Sequence, residues 1–127
     1  MTLTDNQRAN LIRKAEGQLD EGETVLDVTF GAIHVPDKRR RDRTRAHPTS
    51  VLVTDQRLVF FRNRWRGYDL RTVAYDQLRS VDHGKHWKTG ELQLGVAGQA
   101  PVRVTSLPED DVERIAALIR RRLGPPT

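Results

Sequence analysis

Apolar residues crowd into residues 50–61, where Val51 and Val53, then Leu58 and Phe60, alternate on either side of Thr54-Asp55-Gln56-Arg57. Period-two alternation predicts two strands sharing a buried face. The Thr and Asp between them, whose side chains compete for nearby backbone groups, predict the connecting turn. Upstream, residues 24–35 alternate as well: Leu26, Val28, Phe30, Ala32 and His34 on one face, Val25, Asp27, Thr29 and Ile33 on the other. Gly31 suits a bend and Pro36 a stop. Downstream, residues 68–75, 77–82, a stretch around Leu92 and Leu94, and residues 102–105 give four more short strands. Turn signals at 62–67, Lys88-Thr89-Gly90 and 97–100 separate them, so seven strands in an antiparallel sandwich or barrel are expected.

The period changes to 3.6 at both ends. Leu11, Ile12, Ala15 and Leu19 form a thin stripe that predicts a helix over residues 4–20, with Thr4 and Gln7 at capping-box spacing. Such a stripe needs something to lie against, so residues 1–20 are expected to pack on a domain formed by residues 21–127. The C-terminal helix carries a fuller pattern. Val112, Ile115, Ala116, Ile119 and Leu123 share a face, Glu109-Asp110-Asp111 follow Pro108 in the first turn, and Arg120-Arg121-Arg122 occupy the last. Acids at the start and cations at the end both oppose the helix dipole. Gly124-Pro125-Pro126 ends it.

Seven strands followed by one amphipathic helix is the order of a mainly β (α+β), pleckstrin-homology-like barrel whose C-terminal helix caps one opening. The residues resemble a family here. Gly22-Glu23-Thr24-Val25-Leu26, then residues 51–61 reading VLVTDQRLVFF, then Tyr75-Asp76-Gln77-Leu78-Arg79-Ser80-Val81 are similar to the bacterial PH-domain family of the YokE-like and GRAM-like group. The similarity spans roughly residues 19–123. It implies a binding module, without cofactor and without a set of catalytic residues.

Composition narrows the classes. At 127 residues with 36% hydrophobic content, the chain supports one modest core. It has no cysteine, which excludes a disulfide framework and thiolate chemistry. No apolar run approaches the ~20 residues that span a bilayer, and the N-terminus lacks the pattern of a signal peptide. A soluble, cytoplasmic protein is expected, with peripheral membrane contact left open. The net charge of +5 and pI near 10.2 favour anionic partners.

That charge is concentrated. Residues 36–49 hold Lys38, Arg39, Arg40, Arg41, Arg43 and Arg45 against two aspartates and nothing apolar larger than alanine outside the prolines, which predicts a basic loop. Arginine forks grip phosphate and carboxylate bidentately. The competing reading is a solvated loop with no role. Arg62, Arg64 and Arg66 surround Trp65 in a second basic turn, where the indole could stack on a ligand or fold back onto the barrel. In a meander the two turns share one end. His83 and His86 lack a third ligand beyond Asp82, so no metal is expected, and the sequence by itself suggests no partner for His34 or His47. Ser50, Ser80 and Ser106 lie in no nucleophile elbow, and no phosphate-cradling glycine loop exists, so no enzyme and no small-molecule substrate are expected. A protein partner or self-association is the first expectation, anionic lipid headgroups the second, and nucleic acid the third.

Overall fold

A computed structural model of the chain describes residues 5–17, 19–36, 44–64 and 67–123. Helix α1 (Asp5–Glu16) precedes seven strands: β1 (Val25–Pro36), β2 (Thr44–Thr54), β3 (Arg57–Arg64), β4 (Gly67–Ala74), β5 (Leu78–His86), β6 (Thr89–Val96) and β7 (Val102–Pro108). Helix α2 (Glu109–Arg122) closes the chain. All pairings are antiparallel, in the order β4-β3-β2-β1-β7-β6-β5. The sheet curls into a half-barrel with β4 and β5 at its two edges, and α2 packs into its concave side.

The apolar run at residues 51–61 is buried on both faces. Val51, Val53, Leu58 and Phe60 point into the main core, as their alternation requires, where they meet Leu92, Leu94, Val104 and Leu107 and the α2 residues Val112, Ile115, Ala116 and Ile119. The intervening Leu52, Val59 and Phe61 join Val28 in a second cluster on the opposite face, against which Leu19 and Val25 pack. A strand buried on both sides reads as an unbroken apolar run, which is what residues 58–61 show.

Two glycines admit close packing. A Cβ on Gly90 would lie 2.5 Å from Val112 Cβ, and one on Gly31 would lie 2.7 Å from the Thr105 carbonyl oxygen. The first lets α2 settle against β6, and the second lets β7 cross β1.

Several boundaries differ from the pattern reading. Residues 44–49 belong to β2 and not to a loop: Pro36 pairs with Thr44 and Val35 with Arg45, so the hairpin ladder carries polar residues beyond the core. Residues 37–43 lie outside the described part. The alternation of β1 breaks at a bulge between Val25 and Asp27, which leaves Leu26 exposed on the outside and buries Thr29. Tyr75 sits in a 3-10 turn (Tyr75–Gln77), not in β4. β5 continues to His86, and the β5–β6 turn is Trp87-Lys88, with Thr89 already in β6. The N-terminal helix stops at Glu16, and Thr4 falls outside the described residues.

Candidate binding surface

The two ends of the half-barrel are built differently. At one end, the chain entering β1 is clamped to the β2–β3 turn. Thr24 N donates to Asp55 Oδ1 at 2.9 Å, and Asp55 N returns a bond to the Thr24 carbonyl at 2.9 Å. Glu23, whose side chain is 0% exposed, lies beneath. Its carboxylate accepts from Asp20 N at 2.9 Å, from Thr54 Oγ1 at 2.6 Å, and from Arg57 Nη2 and Nε at 3.0 Å each. Thr54 Oγ1 in turn accepts from Arg57 N at 3.0 Å and Gln56 N at 3.1 Å. Gly22, at φ 80°, supplies the left-handed residue that turns Glu23 inward. Burial raises the Glu23 carboxyl, but the hydrogen bonds from Arg57, Thr54 and Asp20 outweigh it and hold it below its ordinary value. The same fork raises Arg57. Tyr75 donates to the Thr54 carbonyl at 2.6 Å, and burial pushes its hydroxyl up to about 12.

The Gly-Glu entry and the Thr-Asp-x-Arg hairpin are therefore halves of one structural clasp. Sequence reasoning assigned Thr54, Asp55 and Arg57 to the turn but missed Glu23 as their partner, because 31 residues separate it from Thr54.

α2 is tied to the same end. Asp111, 1% exposed, accepts from Thr29 Oγ1 at 2.8 Å and pairs with Arg114 Nη2 at 3.0 Å. Arg114 Nε reaches Asp27 at 2.7 Å, which raises the guanidinium. Arg120 Nη2 lies 2.9 Å from His83 Nδ1 and donates to the Val81 carbonyl at 3.2 Å. His83 thus faces a cation, and His34, expected to stand alone, sits 2.9 Å from Thr105 Oγ1.

At the other end of the meander lie the strand termini that flank the basic segments: Pro36 and Thr44, then Arg64 and Gly67. Arg45 is exposed on β2 opposite Val35, and Arg62 is half-buried on β3 opposite Asp69. Arg64 is the last residue of β3. Lys38, Arg39, Arg40, Arg41, Arg43, Trp65 and Arg66 lie outside the described residues. Thus α2 is fastened near the start of β1, through Asp27 and Thr29, while the basic segments flank its far end.

Compared with known families, residues 19–121 match the model described as Bacterial PH domain. The chain belongs to the bacterial PH domain family. Solved structures share the fold of this PH domain. The C-terminal domain of an unknown protein from Leishmania infantum aligns with TM-score 0.62 at 18% identity, covering 91% of this chain and 97% of that one. The Vps36 N-terminal PH domain aligns with TM-score 0.59 at 18% identity, over 83% and 82% of the two chains. A DUF1696 family protein with a pleckstrin-homology domain from Shewanella loihica PV-4 gives TM-score 0.51 at 11% identity, over 87% and 89%. Comparison with curated proteins gives no match. PH-like domains are in general interaction modules, typically non-catalytic, and no enzyme family is indicated. Among the described residues, no helix is long and apolar enough to cross a membrane.

The PH domain carries one further exposed feature that sequence reasoning passed over. Trp87, at the tip of the β5–β6 hairpin, is 88% exposed with φ 62°. A left-handed backbone costs a non-glycine residue roughly 1–2 kcal/mol. The available signal was a tryptophan between Gly84 and Gly90, beside a turn read at Lys88-Thr89-Gly90 that in fact begins at Trp87 and ends at Lys88.

Proposed function

We propose that this PH domain is a non-catalytic module that binds a protein partner, or another copy of itself, through the arginine-rich end of its sheet. The supporting observation is the placement of Pro36, Thr44, Arg64 and Gly67, which brackets both basic segments at one end and leaves the clasp and α2 at the other. Lys38, Arg39, Arg40, Arg41, Arg43 and Arg45 from one segment, with Arg62, Arg64 and Arg66 from the other, supply cations, and Trp65 a flat apolar contact. Guanidinium forks match the carboxylates of an acidic protein face. Arginine and tryptophan are also the side chains that dominate protein interfaces. The domain acts in the cytoplasm in this reading, with peripheral membrane contact as an additional state.

The test reverses charge in the first basic segment, in a variant with Arg39→Glu, Arg41→Glu, Arg43→Glu and Arg45→Glu. Parent and variant serve as baits in a bacterial lysate across a salt series, and light scattering follows their masses with concentration. The expected result is a partner or a dimer held by the parent, weakened by salt and lost in the variant. Identical partners and identical masses for both proteins would sink the proposal. The same cations suit anionic lipid headgroups, each worth about 1 kcal/mol near a charged surface. Sedimentation with phosphatidylserine vesicles tests that second reading, and a gel shift with a steep salt slope tests nucleic acid.

A further inference from the structure

The β5–β6 hairpin presents a feature that the arginine-rich end does not explain. His86 pairs with Thr89, so Trp87 and Lys88 form a two-residue tip. Such tight turns favour glycine wherever φ is positive. Here tryptophan occupies that position, at φ 62° and 88% exposed, so neither local geometry nor burial accounts for its side chain. Lys85 and Lys88 flank it and are both exposed. The acid nearest to Lys85 among the ion pairs is Glu109, at 3.5 Å in the first turn of α2.

We infer that Trp87, with Lys85 and Lys88, is a membrane-interface anchor that seats this end of the domain in the headgroup region of an anionic bilayer. Trp87 and Leu26 are exposed large hydrophobics, and Leu26 lies on the β1 bulge, on a different strand from the hairpin tip. A stable protein interface buries roughly 800 Å² per partner around a cluster of well-packed anchor residues. One ring among charges does not supply it. A bilayer interface asks for less: an amphipathic indole at headgroup level and cations over the phosphates, with no shape to match. The tip is ordered before binding, held by the β5–β6 ladder, and by β7, where Thr89 pairs with Pro108. This anchor lies outside the basic segments at 36–49 and 62–66, so the two surfaces succeed or fail separately.

The test uses a Trp65→Phe background, in which Trp87 is the only indole of the chain. Emission is followed on adding vesicles of phosphatidylcholine alone or mixed with phosphatidylserine, with brominated phosphatidylcholine as a quencher. The expected result is a blue shift and quenching with the mixed vesicles. Trp87→Gly, which has no indole in this background and is followed by vesicle sedimentation, should show a partition coefficient at least roughly tenfold lower, the loss expected for one large apolar side chain. Lys88→Glu should lower it at least about fivefold, since one cation near an anionic surface is worth about that factor. Trp87→Gly suits the left-handed backbone, so a melting temperature no lower than the parent's excludes misfolding as the cause. Three results would overturn the inference: unchanged emission with the mixed vesicles; sedimentation with those vesicles but no quenching of Trp87, which marks the arginine-rich end as the membrane contact; and a blue shift that grows with protein concentration without lipid, which marks a contact between copies.

Discussion

Replacing Glu23 by alanine should be among the most damaging single changes in this chain. The substitution removes a fully buried carboxylate and leaves four donor atoms, two of Arg57 and one each of Thr54 and Asp20, without this acceptor. Removing one member of a buried ion pair costs about 3–5 kcal/mol. The Arg57 side chain is 20% exposed, so water can take up part of its lost bonding, and we expect a loss of about 2–4 kcal/mol. That is a large share of the ~5–15 kcal/mol that stabilises a typical domain. A double-mutant cycle with Arg57→Ala, measured by urea unfolding near neutral pH, should give a coupling of about 1–3 kcal/mol. The pH dependence has a defined sign. The folded-state carboxyl sits below its ordinary value of 4.5, so its contribution is complete above that value and is lost as pH falls through the lower, folded one. The parent should therefore lose stability on acidification below pH 4.5 more steeply than Glu23→Ala does. Additive single changes, or a loss for Glu23→Ala under about 0.5 kcal/mol, would refute the view of this motif as a clasp.

Gly90→Ala should lower stability by about 2–3 kcal/mol, because the new methyl meets the branch point of Val112 and α2 must shift to admit it. An unchanged unfolding midpoint would show that α2 does not depend on that approach. Asp111→Ala should cost about 2–3 kcal/mol by leaving Thr29 Oγ1 without its acceptor and Arg114 with one partner fewer. Thermal unfolding at neutral pH measures it, and a variant as stable as the parent would contradict the assigned role of that buried pair.

Local pattern carried the architecture. Period-two runs and turn residues marked seven strands, and the stripe from Val112 to Ile119 marked α2, because each of these signals depends on neighbours a few residues apart. The alternation of Val51, Val53, Leu58 and Phe60 also identified the main core face correctly. Where local chemistry misled, a distant partner had decided. The backbone at 44–49 is polar and reads as loop, yet β1 offers it a ladder, so it extends β2. Glu23 stands beside Gly22 in a short polar stretch and is buried, because Arg57 and Thr54 reach it from another turn. Thr29 and Asp111 are 82 residues apart and meet only once α2 folds across the half-barrel.

The candidate surfaces divide in the same way. The basic residues were legible as composition, since charge density needs no partner to be seen. That their flanking strand ends share one end of the sheet, opposite α2, follows from the antiparallel order β4-β3-β2-β1. Trp87 was hidden, because a tryptophan beside turn residues looks like core until the register His86 to Thr89 puts it at a hairpin tip. Sequence alone thus determined which segments are strands and helices and how much charge they carry, because hydrophobic period and composition are local properties. Tertiary structure alone decided that Glu23 is buried, that Gly31 and Gly90 admit close packing and that the Trp87 indole faces water, because each depends on groups that chain reversal brings together from far along the sequence.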